Sequence, residues 1–231
     1  MQETIKQSFT DLELRGIDGN ERFIWSWLAA SGHSGGCLLG VRDSTLDVGS
    51  LDQGVFFLSA SILHKASRFI FEFIGVYGPA DHARSPAFLE ELERKVQAAR
   101  YPVLISGDFN LIRGQRDKNN SNINWPRVHL FNDCIARLSL REIERTGANY
   151  TWTNKQVNPV RSVLDRVLVS AAWDLQFPLA TLKAETRIGS DHTPLTLDTG
   201  DDQPPPARIG SSSKQGGCKF LGFRTWLTRY G

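Results

Sequence analysis

Hydrophobic and polar positions alternate along much of this chain with a period of two, and two stretches switch clearly to a period of three to four. Phe56, Leu58, Ala60 and Ile62 interleave with Ser59 and Ser61, the spacing of a half-buried strand over 55–63. Similar short runs predict strands at 23–28, 36–41, 69–76, 103–106, 150–153, 163–169 and 193–197. Ser85-Pro86 followed by Phe88, Leu89, Leu92, Val96 and Ala99 predicts a helix capped by Ser85, with Pro86 in its first turn and a stop at Tyr101-Pro102. Trp125-Pro126 opens a second helix with Val128, Phe131, Ile135 and Leu138 on one face. Between the two helices, residues 113–124 are polar and Asn-rich and read as a loop. Many short strands with few helices predict an α/β domain of two packed β-sheets flanked by helices.

The texture changes after Leu197. Residues 199–217 are rich in Asp, Pro, Gly and Ser, with Pro204-Pro205-Pro206 in the middle, and read as a disordered linker. Phe220, Phe223, Trp226 and Leu227 then form a small aromatic island within 218–231. The main domain is therefore expected at 1–198. No run approaches the ~20 apolar residues of a membrane span, and Met1 is followed by polar residues rather than a signal-peptide core. Cys37, Cys134 and Cys218 are odd in number and widely spaced, which argues against a disulfide framework or a zinc site. An intracellular protein, nuclear or cytoplasmic and not secreted, is expected. The net charge of +2 is unevenly held: the segment 199–231 has five basic and two acidic residues, leaving 1–198 near neutral. Any contact with nucleic acid must then come from local patches such as Arg113, Arg116 and Lys118.

Candidate chemistry sits at strand ends. Val103 to Ser106 leads into Gly107-Asp108-Phe109-Asn110, where Asp108 and Asn110 straddle an aromatic ring and point the same way. In isolation that is an Asx turn. Further on, Gly189-Ser190-Asp191-His192 places an acid beside the side chain best suited to move a proton near neutral pH. A third acid, Asp165, interrupts the apolar run 163–169, and a buried acid needs a partner. His192 is the natural one. His33, His64, His82 and His129 have no acid suggested by spacing and read as structural or solvated.

Gly-Asp-Phe-Asn at 107–110, Leu-Asp-Arg-Val at 164–167 and Gly-Ser-Asp-His at 189–192 resemble, in order, three motifs of the endonuclease/exonuclease/phosphatase superfamily. Met1-Gln2-Glu3-Thr4 resembles the family's Gln-Glu-Thr, and Val76-Tyr77-Gly78-Pro79 its phosphate-contacting Tyr loop. Thr151-Trp152-Thr153-Asn154 resembles the branch found in plant non-LTR retrotransposons, and 219–227 loosely resembles the segment that joins their endonuclease to reverse transcriptase. The resemblance implies a deoxyribonuclease I-like four-layer α/β/β/α sandwich and a DNA endonuclease using Mg²⁺ (or Mn²⁺). It assigns Glu3 and Asp191 to the metal, Asp108, Asn110, Tyr77, Asp165 and His192 to catalysis, and Trp152 and Asn154 to substrate. DNA is the implied partner, with no membrane and no small-molecule cofactor expected; the sequence leaves the oligomeric state open, with a monomer as the expectation. Two departures stand out. Family members carry a first strand, with a metal-site Asn, before the position of Glu3, so the fold is expected to be N-terminally incomplete. Ala80 replaces the Asn that apurinic endonucleases carry. The competing expectation is an inactive truncated remnant, unfolded or kept as a binding module.

Overall fold

The computed structural model of the chain describes Thr4, residues 6–19, 21–30 and 36–200, and the backbone of 222–225. Its central layer is a six-stranded sheet in which β3 (Leu46–Gln53), β4 (Phe57–His64), β5 (Ile70–Tyr77), β6 (Val103–Asp108), β11 (Asp165–Ser170) and β7 (Leu140–Glu142) lie side by side in that order. Only β5 and β6 run parallel, and the crossover between them is the helix α2 (Ser85–Gln97). A second sheet is built from β12 (Thr181–Ala184) and β13 (Leu195–Asp198), with β8 (Arg145–Thr146) on one side and β14 (Gly222–Thr225) paired antiparallel to β13 on the other. Two hairpins complete the strands, β1 (Phe23–Leu28) with β2 (Cys37–Arg42), and β9 (Trp152–Thr153) with β10 (Arg161–Ser162).

The period-two pattern decides which core each strand feeds. On β5, β6 and β11, Phe71, Phe73, Leu104, Val167 and Val169 turn toward the second sheet and meet Leu182, Ala184, Leu195 and Leu197. The alternate residues Ile74, Val76, Val103, Ile105 and Leu168 turn the other way, onto Phe88, Leu89 and Leu92 of α2 and Phe131 and Ile135 of α3 (Trp125–Arg137). The short helix α4 (Ala171–Gln176) follows β11 and drives Trp173, fully buried, into the core between the sheets. The expected two packed sheets flanked by helices are present.

Several elements differ from expectation at their edges. Helix α2 starts at Ser85 itself. A 3₁₀ turn, His82–Arg84, runs straight into it, Asp81 caps that turn through Ala83 N, and Arg84 occupies the helix cap with no side-chain bond. The eight-residue helix α1 (Asp11–Asp18), β3, α4 and β12 were not foreseen. Residues 201–221, with most of the predicted linker and Phe220 of the aromatic island, and residues 226–231, with Trp226 and Leu227, lie outside the described residues. Among the described residues, no helix is long and apolar enough to cross a membrane.

Candidate active site

Register brings the acids together. In the antiparallel pair β11–β6, Asp165 lies directly opposite Asp108. By the alternation along both strands, the two carboxylates share the face that carries Leu104, Val167 and Val169, toward the second sheet. Both are buried, at 0% and 1% exposed. His192 enters from that second sheet, three residues before β13. Its Nδ1 lies 3.1 and 3.0 Å from the two Asp165 oxygens, and its Nε2 3.9 Å from Asp108 Oδ2. A carboxylate only accepts, so Nδ1 carries the proton in this pair and Nε2 is the nitrogen turned toward Asp108. The 3.9 Å gap exceeds a hydrogen bond.

Asn110 braces the other side. Its backbone sits in the left-handed region, φ 51°, which Asn tolerates better than most residues. Its N–H donates to Asp108 Oδ1 at 2.8 Å, and its Nδ2 donates to Asp108 Oδ2 at 3.1 Å and Gly78 O at 2.8 Å. Tyr77 is the register partner of Asp108 across β5–β6. The next residue must be glycine: a Cβ on Gly78 would stand 2.1 Å from Phe109 O. This close approach lets the Tyr77 loop and the Asp108–Asn110 turn pack as one unit.

The segment 151–153 joins Asp165 to His192. Thr151, fully buried, accepts the N–H of Leu164 at 2.9 Å and of Asp165 at 3.0 Å on its single Oγ1. Its carbonyl accepts Thr193 N at 2.7 Å, Trp152 forms a bridge with His192, and Thr153 N donates to Asp191 O. Ser190 Oγ accepts His192 N at 3.0 Å. Neither Thr151 nor Ser190 stood out in the sequence, because a hydroxyl holding main-chain N–H groups leaves no periodicity. The signal available was that each sits inside a recognised motif.

Trp152 is therefore beside the acid–histidine group. Asn154 has its Oδ1 turned into its own hairpin, accepting Val160 N at 3.0 Å and Gln156 N at 3.3 Å. Arg113, foreseen as a surface cation, is engaged by Glu142 and Asn132 instead. His82 stands near Arg127 and Lys118. Burial first, and then those two cations, push its pKa down.

Glu3 lies outside the described residues, and among those described no three His, Cys, Asp or Glu side chains converge as ligands for one ion. The acids at the site are all carboxylates, the oxygen donors magnesium takes in ones and twos alongside water. Asp108 is held by Asn110 through both oxygens and Asp165 by His192 through both, while half-buried Asp191 has its carbonyl fixed by Thr153 N and by Arg187 at 3.0 Å. In kind, this donor set fits a hard cation and not a soft one.

Two layers of sheet flanked by helices, with acids on adjacent strand ends facing a histidine from the second sheet, define the class of the molecule. The chain belongs to the Endonuclease/Exonuclease/phosphatase family, whose pattern matches residues 1–192. Family members generally depend on a divalent metal. Similar solved structures include the endonuclease domain of TRAS1, a telomere-specific non-LTR retrotransposon, at 16% identity over 74% of this chain and 76% of that one, TM-score 0.58. The AP endonuclease LMAP from Leishmania major is similar at 14% identity over 74% and 69%, TM-score 0.56. An endonuclease/exonuclease/phosphatase from Bacteroides vulgatus is similar at 15% identity over 85% and 81%, TM-score 0.54. No curated protein sequence matches the chain.

Proposed function

We propose that this chain is a metal-dependent phosphodiesterase that cleaves DNA, of retrotransposon-endonuclease type. The observation that carries the reading is the Asp165–His192–Asp108 group, in which one carboxylate fixes the imidazole through Nδ1 and the other faces its Nε2. A buried acid that orients a histidine is the arrangement expected of a proton-transfer pair. The gap between His192 Nε2 and Asp108 is where an attacking water or a phosphate oxygen would meet both groups. His192 and Asp108 would divide the proton transfers, while Asn110 would keep Asp108 oriented and would have to release one of its present hydrogen bonds to join Tyr77 on the phosphate oxygens as charge builds on them. Mg²⁺ or Mn²⁺, held by Glu3 and Asp191, would neutralise charge on the phosphate. Trp152, beside His192, would contact a neighbouring nucleotide, and Asn154 would support it by shaping the β9–β10 hairpin. The likeness to the TRAS1 endonuclease domain and to an AP endonuclease supports DNA as the substrate, while Ala80 argues against abasic-site preference.

The test is nicking of supercoiled plasmid by the folded protein, with Mg²⁺ or Mn²⁺ and with a chelator. Nicking should require the metal, and His192→Ala should lower the rate by ~10²–10⁴, the range for a lost general acid or base. Equal nicking by both proteins overturns the assignment. A well-folded chain that does not nick favours the alternative of an inactive domain retained for binding.

A further inference from the structure

On the opposite face of the same strand pair lies a second group of charges that the proposed chemistry does not use. Alternation turns Arg166 away from Asp165, toward the helices, and its register partner Gly107 has no side chain to compete for that space. Arg166 is 2% exposed. It donates through Nη1 to Glu142 Oε1 at 2.5 Å and through Nη2 to Asp117 Oδ2 at 2.5 Å and Val163 O at 3.2 Å. Arg113 closes the ring, with its Nη1 on Glu142 Oε2 at 2.7 Å and its backbone N–H on the same Asp117 oxygen at 2.5 Å. Burial alone would raise the Glu142 carboxyl, yet the two guanidinium groups pull its pKa below the ordinary value. Buried ion networks of this sort add little stability over apolar packing, and their best-attested use is to hold one arrangement.

The arrangement held here is the loop after Asn110. No side chain in 112–124 is buried, so apolar packing cannot place it. Polar contacts do so instead: the Arg166 group at its root, Asp117 O accepting Val163 N at 2.8 Å, and the Asn119 side chain on Arg161 N and Pro159 O at its tip. The loop carries Arg116 and Lys118, which enter no ion pair among the described residues; Lys118 Nζ donates to Asn122 O. Lys118 also begins a continuous row of strand partners, Lys118 to Ser162, Ser162 to Trp152, and Trp152 to His192. At about 4.8 Å per step, that row sets the Lys118 backbone roughly 15 Å from His192, within the span of a few nucleotides.

We propose that Arg166 is a positioning residue: through Asp117 and Glu142 it holds the 112–118 loop so that Arg116 and Lys118 contact the phosphate backbone beside the site. It thereby governs substrate binding and not the chemical step. This rests on nucleic acid being the substrate. The test is binding of a labelled DNA duplex, in chelator to prevent cleavage, as a function of salt. Lys118→Ala should reduce the slope of log K against log salt by about 1, the change for one lost phosphate contact. Arg166→Met should reduce it by about 1 to 2 while preserving the wild-type kcat and raising KM. The Arg166→Met/Lys118→Ala double variant should bind no more weakly than Arg166→Met alone, because the lysine is already misplaced. Asp117→Asn, which keeps side-chain shape, should reproduce the slope change if Arg166→Met fails to fold. Additive effects of Arg166 and Lys118, or a wild-type slope in Asp117→Asn, overturn the clamp while leaving the nuclease reading intact. Absence of salt-dependent binding by the wild-type chain overturns both.

Discussion

At the scale of single residues, Thr151 holds the site together from behind the reacting groups. Two buried N–H groups, those of Leu164 and Asp165, share its one hydroxyl oxygen, and its carbonyl ties in Thr193 beside His192. Thr151→Val keeps the shape and removes the acceptor, so both donors are left unsatisfied at a cost of about 1–3 kcal/mol each. For a chain of this size each kcal/mol lowers the melting temperature by about 2–4 °C. The expected outcome is a melting temperature lower by several degrees and nicking weakened beyond the loss in folded protein, with Thr151→Ser close to wild type in both. A Val variant that matches the Ser variant would show that the hydroxyl positions nothing. The acids and His192 could be picked out of the sequence because their chemistry is rare inside an apolar run. Thr151 could not, because its role depends on which backbone groups the fold sets above it. Asn154 has a local role that its motif did not announce: its Oδ1 closes a hairpin.

At the scale of elements, the unforeseen helix α1 shows how much a cap contributes. Thr10 and Glu13 form a reciprocal box, in which Glu13 Oε2 accepts Thr10 N at 3.0 Å and Thr10 Oγ1 accepts Glu13 N at 3.4 Å, and Lys6 pairs with the same carboxylate. The Lys6 hydrogen bond first, and the Thr10 N–H next, hold the Glu13 carboxyl at about 2. A folded value below the unfolded one means the contribution is fully present above pH 4.5 and is lost as pH falls through about 2. Protection factors at the Thr10 and Glu13 amides, with the intrinsic pH dependence of exchange divided out, should therefore hold at pH 5 and fall between pH 4 and 2; unchanged protection over that range would mean the box does not hold the helix. The Thr-x-x-Glu signal was present in the sequence, but eight residues with one buried side chain, Leu14, give no readable period. Strand β3 escaped for a related reason: apart from Leu46 it is largely exposed and polar, and its place comes from pairing with β4. Helices α2 and α3 were legible because each repeats an apolar face every three to four residues against the sheet.

At the scale of the whole molecule, the core between the two sheets is also what closes the site. Trp173, Phe177, Val167 and Leu195 pack in that one layer, and His192 meets Asp165 across the same pair of sheets. Trp173→Ala should cost about 3–5 kcal/mol, the range for emptying a large aromatic site in a core. Far-ultraviolet and near-ultraviolet circular dichroism should still report one coincident transition, since both sheets share the layer; two separate transitions would mean the sheets fold independently. By itself the sequence determined the strand ends and what they carry, because alternation, a glycine and a following acid act over a few adjacent residues. It determined the period of α2 and α3 and the family to which the motifs point. Only the tertiary structure decided that Asp108 and Asp165 lie opposite one another, that His192 arrives from the other sheet 27 residues beyond Asp165, and that Arg113 is tied to Glu142 and Asn132 while Arg116 and Lys118 enter no ion pair among the described residues. Those outcomes depend on register and on the packing of two sheets, and contacts between residues so far apart leave no local trace in the order of the chain.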